Sequence, residues 1–104
     1  MKIRLSNNSI RIRVNQEELK ALSKNQLVNL TVQFSLYDNL ICELVPWNLD
    51  VLEGKFEKGK LTVNIPFSFT EKWPDHDSQP IEIHQDNGSL QKLYIKVEKD
   101  LERF

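Results

Sequence analysis

The sequence has few of the residues that cross-link small proteins or anchor proteins in membranes. Its single cysteine, Cys42, excludes an intramolecular disulfide and a cysteine-rich zinc site, and it fits a reducing compartment. No apolar run approaches the ~20 residues that a helix needs to span a bilayer. The opening residues, MKIRLSNNSIRIRV, also lack the apolar core of a signal peptide. We therefore expect a cytoplasmic protein that does not associate with membranes.

The composition is that of one ordinary globular domain. The chain has 104 residues, of which 39% are hydrophobic and 28% charged, and it contains no repeat or linker-like segment. A chain of this length buries about two-thirds of its unfolded surface, so it can build a core without disulfides or metals. We assign residues 1–104 to a single domain.

Charge is distributed unevenly along the chain, although the net charge is only −1. Residues 1–14 contain four cations and no acid, whereas the other ninety residues contain ten basic and fifteen acidic side chains. Such asymmetry can steer an anionic partner to one end or bring two copies together. The isoelectric point near 6.1 argues against a protein that reads the phosphate backbone of nucleic acids, so no nucleic acid partner is expected.

Alternating apolar and polar residues near the N-terminus predict a hairpin with one buried face. The two asparagines at 7–8 suit a two-residue turn, because asparagine tolerates the positive φ that a type I′ turn requires. This turn sets Arg4 opposite Arg11 and Lys2 opposite Arg13. The apolar residues of both strands then share the other face.

A short helix is predicted to follow, over about residues 15–24. Asn15 is the expected N-cap, and Glu18 completes a capping box with it. Leu19 and Leu22 form a narrow apolar stripe. So short a helix cannot form a core alone, and we expect it to cover one edge or mouth of the sheet.

The rest of the chain is predicted to form further hairpins. Face matching favours a three-residue loop at 37–39, which sets Phe34 opposite Cys42. A tight turn at 58–59 joins the next pair of strands, and an odd-length loop around 86–89 joins the last pair. The sequence thus predicts an α+β fold: an antiparallel β-sheet of about eight strands, curled into an open barrel or folded into a sandwich, with one short helix. The expected core contains Ile3, Ile10, Ile12, Val32, Phe34, Cys42, Leu44, Leu61, Val63, Ile83 and Ile95.

The opening MKIRLSNNSIRIRV, the capped helix and the closing VEKD resemble a family of short, uncharacterised bacterial proteins. Members of that family open with MKIRxxxNSIRxR and end in a VEKD-type strand. They commonly carry a phenylalanine and a cysteine after the final Lys–Asp pair, where this chain has Leu101 and Arg103 instead. The family has no established activity. The resemblance therefore implies a bacterial, intracellular, single-domain protein and supplies no catalytic residue.

The strongest candidate site is the group of cations that the first hairpin places on one face: Lys2, Arg4, Arg11 and Arg13. Like charges directly opposite each other destabilise a sheet, so water and salt, neighbouring acids or an anionic ligand must compensate. Weaker candidates fall on the polar faces of the last two strands: Glu82, His84, Tyr94 and Lys96.

Two functions are compatible with this pattern. The first is a small non-enzymatic binding or interaction domain whose basic hairpin meets an acidic protein partner or a small anion, with a homodimer as a further form. The second is a small enzyme acting on a phosphorylated or polyphosphate substrate, similar to the triphosphate tunnel enzymes, in which basic side chains grip the phosphates. The opening strand KIRLS lacks the acidic residues of that family, so we prefer the binding domain.

No residue is assigned a catalytic role, and no metal or cofactor is expected. The Asp-His-Asp run at 75–77 is too contiguous to converge on one ion and is typical of an exposed turn. Cys42 falls on the apolar side of its strand, where a thiol stays protonated and packs as a small hydrophobic group.

Overall fold

The computed structural model describes residues 1–75 and 79–101, and within these ranges the expected α+β class and strand number are confirmed. The elements, in chain order, are strands β1 (Lys2–Ser6) and β2 (Ser9–Val14), helix α1 (Gln16–Ser23), strands β3 (Val28–Gln33), β4 (Asn39–Trp47), β5 (Glu53–Glu57) and β6 (Lys60–Pro66), helix α2 (Phe67–Thr70), a 3₁₀ turn (Trp73–Asp75), and strands β7 (Ile81–Gln85) and β8 (Leu93–Lys99). Among the described residues, the helices lack the length and hydropathy that a membrane-spanning segment requires.

The strands form two four-stranded sheets with the same topology. The first sheet has the order β1-β2-β8-β7, and the second has the order β3-β4-β6-β5. In each sheet a central parallel pair, β2 with β8 or β4 with β6, joins two antiparallel hairpins. The expected antiparallel pairing throughout is therefore wrong at these two junctions. Short turns force antiparallel pairing, but the chain between the strands of each parallel pair is long enough to return in the same direction.

The inner faces of the two sheets pack against each other, so the structure is a sandwich and not a closed barrel. Both sheets contribute to one buried core, which includes Ile12, Val14, Cys42, Leu44, Leu61, Val63, Ile65, Ile95 and Val97. Helix α1 packs on α2 and on the 3₁₀ turn at one end of the sandwich. Leu19, Leu22 and Trp73 are buried there, and they fill that end.

Hairpin registers that rest on a short turn agree with the sequence prediction. Strands β1 and β2 pair Arg4 with Arg11 and Lys2 with Arg13. Of the two turn residues only Asn8 has a positive φ, of 51°, so the register is as expected but the type I′ turn, which needs a positive φ at both, is not formed. Strands β5 and β6 meet around the turn at 58–59, as expected. The β7–β8 loop, residues 86–92, is longer than these two turns but has the predicted odd length. Matching of the apolar faces was sufficient to set these three registers.

The register predicted for β3 and β4 is wrong, although its faces are right. Cys42 pairs with Leu30, not with Phe34, and the connecting loop spans 34–38. The backbone carbonyl of Asp38 accepts hydrogen bonds from the amides of Phe34 and Ser35, at 2.8 and 3.3 Å. These bonds stabilise a longer loop than expected. The shift is by an even number of residues, so the apolar face stays inward.

This longer loop explains the two exposed members of the predicted core. Phe34 is 70% exposed and Val32 is 40% exposed. The other nine are buried or partly buried: Ile12, Cys42, Leu44, Leu61, Val63 and Ile95 are buried, and Ile3, Ile10 and Ile83 are partly buried against them. The core prediction is confirmed for the other hairpins and fails only at the loop end of β3.

The N-terminus of α1 has the predicted capping box. The Asn15 side chain accepts from the Glu18 amide at 2.8 Å, and the Glu18 carboxylate accepts from the Asn15 amide at 2.9 Å. Glu18 also accepts from the N-terminal amine of Met1 at 2.8 Å. The box therefore caps the N-terminus of the helix and also ties the residue before β1 to it.

Truncating the buried centre of β2 tests the core. Ile12→Ala removes a fully buried side chain, and we expect the free energy of unfolding to fall by about 2–5 kcal/mol because a cavity remains. Urea denaturation measures the change. Leu90→Ala, at a fully exposed position, is the control and should change little. A loss for Ile12→Ala as small as the control's would contradict the packing described above.

Removing the cap side chain tests the capping box. Asn15→Ala should lower the free energy of unfolding by about 1 kcal/mol, because the Glu18 amide loses its acceptor. Gln16→Ala, at the neighbouring exposed position, is the matched control. Thermal unfolding at neutral pH compares the two. Equal melting temperatures for Asn15→Ala and the unmodified chain would show that the cap contributes nothing.

Candidate functional site

All eight candidate residues lie on the outer face of the first sheet. Alternation along each strand directs their side chains away from the core, and the strand registers bring them together. The face carries the cations Lys2, Arg4, Arg11, Arg13 and Lys96, and we call it the basic face. The remaining candidates, Glu82, His84 and Tyr94, occupy its β7 and β8 side.

A row of three cations crosses the centre of the basic face. Arg4 pairs with Arg11, and Arg11 pairs with Lys96 on the parallel neighbour β8. The row ends at Glu82, the first acid along it, on β7. Adjacent strands lie about 4.8 Å apart, so these like charges are direct neighbours. The pairing of β2 with β8 places the third cation beside the first two, and hairpin reasoning did not predict that neighbour.

Neighbouring acids neutralise the edges of this face. Lys2 lies 3.2 Å from a carboxylate oxygen of Asp100. Arg13 and Lys96 share Glu98, at 3.0 and 3.6 Å from its two carboxylate oxygens. Salt-bridged acids are thus one of the three forms of compensation that the sequence left open, and here they account for three of the five cations.

Arg4 and Arg11, at the centre of the basic face, differ from the three ion-paired cations. Within the described ranges, neither Arg4 nor Arg11 forms an ion pair. Arg4 is exposed and Arg11 is half-buried. The centre of the basic face therefore carries two guanidinium groups, directly opposite each other, whose charges only solvent and salt screen.

The cations of the basic face shift the pKa of Glu98, the acid that Arg13 and Lys96 share. Burial alone raises the pKa of Glu98, but the hydrogen bond from Arg13 and the charge of Lys96 outweigh that effect, and the pKa of Glu98 is lowered. Glu98 is therefore ionised at neutral pH. Its two carboxylate oxygens pair with Arg13 and Lys96, and within the described ranges no ion pair links Glu98 to Arg11.

Beside the cationic row lies a small polar cluster. The Tyr94 hydroxyl donates to the Glu82 carboxylate, and this bond raises the pKa of Tyr94. The His84 ring packs against the Tyr94 ring, with centroids 4.8 Å apart. The charge of Arg11 opposes the rise in the pKa of Tyr94. Tyr94 is thus close enough to Arg11 to be affected by its charge, and Glu82 and His84 lie beside Tyr94 on the outer surface.

The inner face holds the remaining chemically reactive group. Burial, and secondarily the charge of Glu43, raises the pKa of Cys42 to about 11. The thiol is protonated at neutral pH, as expected. Among the described residues no cluster of His, Cys, Asp and Glu could hold a metal ion. His76 and Asp77 of the Asp-His-Asp run lie outside the described residues.

Two features of the interior were not predicted from the sequence. The Gln85 side chain accepts a hydrogen bond from the backbone amide of Gly54 and donates one to the Gly54 carbonyl, each at 2.8 Å. These two bonds join β7 to β5 across the two sheets. Next to this junction a cavity of about 370 Å³ opens between the sheets. The signal that could have indicated it is a glycine inside a strand, which often marks a close approach of another backbone or a ligand.

A family of unknown function, DUF7009, matches residues 1–103. No curated protein and no solved structure matches the chain. The sequence resemblance to an uncharacterised family is confirmed at that level, while the bacterial origin and the signature residues stay predictions. Because the match covers nearly the whole chain, the protein belongs to the DUF7009 family, a family of unknown function.

Proposed function

We propose that the protein is a non-enzymatic binding domain that recognises an acidic protein surface through its basic face. The observation that supports this most is the central pair of arginines, Arg4 and Arg11, with Lys96 beside them and no carboxylate bound to either arginine in the described chain. Such a row is unfavourable in the free protein, since like charges directly opposite each other destabilise a sheet. A negatively charged partner would remove that cost.

The chemistry of the face suits carboxylates. Guanidinium groups bond carboxylates through two parallel N–H donors, which adds geometric specificity to the charge attraction. The surrounding pairs of Lys2 and Arg13 with acids would orient a partner, because their acidic members repel other acids nearby. The arrangement favours a partner whose acids are concentrated opposite the centre.

The shape of the face favours an interface over an active site. The residues lie on the open outer side of a sheet, whereas catalysis needs a concave site that holds a base near the anion clamp. A flat charged patch is sufficient for a protein interface. This is the physical reason for preferring the binding domain.

A small enzyme acting on a phosphorylated or polyphosphate compound is the second candidate. The cluster of Glu82, His84 and Tyr94 beside Arg11 favours it, since it would supply proton-transfer groups next to an anion clamp. Glu82 and Tyr94 are already bonded to each other, and the face provides no enclosure for a substrate. We therefore rank it below the binding domain.

Replacing Arg11 tests the proposal in two ways. In the free protein, Arg11→Gln should raise the melting temperature slightly at low salt, because it relieves repulsion from Arg4 and Lys96. The rise should vanish at high salt, where the Debye length is about 3 Å at 1 M. Lys72→Gln is the matched control, since it removes the same charge from an exposed position away from the face.

The second measurement uses a polyglutamate peptide and inorganic tripolyphosphate as probes. At low salt, polyglutamate should bind and stabilise the unmodified chain, and Arg11→Gln should weaken binding about two- to fivefold, as expected for one exposed charge pair. Lys72→Gln should bind normally. Stabilisation by tripolyphosphate alone would favour the enzyme, and no shift with either probe would leave the basic face as a solvated surface and contradict the proposal.

A further inference from the structure

We propose that the cavity between the two sheets binds the aliphatic chain of a free, single-chain amphiphile, such as a medium-chain carboxylic acid, whose head group stays in solvent at the entrance. This site is separate from the basic face, because it lies on the inner side of the first sheet. It does not depend on the function proposed above.

The cavity lies at the end of the sandwich opposite the helices. The turn at 7–8 and the start of β8 are adjacent, since Ser9 pairs with Tyr94. The turn at 58–59 lies beside the start of β4, where the Ile41 amide donates to the Gly59 carbonyl at 3.0 Å. The loops between strands therefore gather at one end, while α1, α2 and the 3₁₀ turn fill the other.

The wall of the cavity is aliphatic. Ile3 and Ile10 of the first sheet face Leu40 and Leu61 of the second, and Leu93 completes the wall. A space of about 370 Å³ is within the size range of ligand pockets. Its lining is almost wholly apolar, which suits an apolar guest.

The geometry keeps the two sheets from closing the cavity. Gly54 has no side chain, and a Cβ built there would lie 2.5 Å from Cδ1 of Ile95, so the sheets are already in contact at that point. The Gln85 amide holds the two edges at this separation through its paired bonds to Gly54. A closer approach of the sheets would force Ile95 into the backbone of Gly54. The space beyond this contact therefore stays open.

The size of the cavity indicates the ligand. A methylene group occupies roughly the volume of a water molecule in the liquid, about 30 Å³, so the cavity has room for about ten of them. Leu5 and Phe56, one from each sheet, line it and are 65% and 68% exposed, which marks the entrance. Exposed apolar groups around an apolar cavity are typical of a ligand site.

The lining leaves the head group outside the cavity. Gly54 and Phe56 face inward, so strand alternation directs the side chain of Lys55, which lies between them, to the outer face of the second sheet. A head group would therefore stay in solvent at the entrance while its chain fills the apolar space. Room for one chain favours a single-chain amphiphile over a two-chain phospholipid.

Titration of the unmodified protein with decanoate, decanol and acetate tests the site. Isothermal calorimetry should show saturable binding of one decanoate or one decanol per chain and none of acetate. In parallel, alkylation of Cys42, which lines the cavity, should slow as decanoate saturates the protein. Binding of decanoate without protection of the thiol would place the ligand elsewhere and overturn the proposal.

Three variants distinguish binding in the cavity from binding on the exposed surface. Cys42→Phe fills the space and should reduce decanoate affinity at least tenfold. Lys55→Gln should leave it unchanged, because the Lys55 side chain lies on the outer face of the second sheet. Phe34→Ser is the control, because Phe34 is exposed and outside the cavity wall. The thiol protection experiment keeps the test decisive if Cys42→Phe does not fold.

Other occupants have distinguishable outcomes. If this end of the sandwich is an interface between two copies, elution volume will depend on concentration, Phe34→Ser will weaken the association, and decanoate will not bind. If it docks on membranes, vesicles of anionic phospholipid will bind the protein while free decanoate leaves the Cys42 alkylation rate unchanged. Either result overturns the proposal.

Discussion

The contact between Gly54 and Ile95 sets how closely the two sheets approach. Ile95 Cδ1 occupies the space that a side chain at Gly54 would need, and the Gln85 amide completes the junction with two hydrogen bonds to the same residue. The backbone groups of an edge strand thus receive partners from a side chain of the other sheet. Both the packed core and the cavity beside it depend on this fixed separation.

The sandwich keeps two chemically distinct surfaces apart. Alternation along β1, β2 and β8 sends cations outward and aliphatic side chains inward, so the same strands form the basic face and one wall of the cavity. The helices close only one end, where Trp73 and Leu22 are buried. The opposite end exposes loops, the part of a scaffold that most often carries binding residues. The fold therefore combines a charged outer surface with an apolar interior cavity.

Features set by neighbouring residues were predictable. The register of β1 and β2 follows from the asparagine turn at 7–8, and the capping box follows from the spacing of Asn15 and Glu18. The β3–β4 register was not, because face matching cannot distinguish alignments that differ by an even number of residues. There, hydrogen bonds to the Asp38 carbonyl select the longer loop.

The strands, the capped helix, the inward and outward faces, and the four cations of the first hairpin are predictable, because each depends on residues a few positions apart. Which hairpins become neighbours depends on tertiary packing. The parallel pairing of β2 and β8 added Lys96 to the row of arginines and brought Glu98 to Arg13. The packing of the two sheets also brought Gln85 to Gly54 and left the cavity between the sheets open. These contacts join residues far apart in the chain, where only the packing of the two sheets selects the partner.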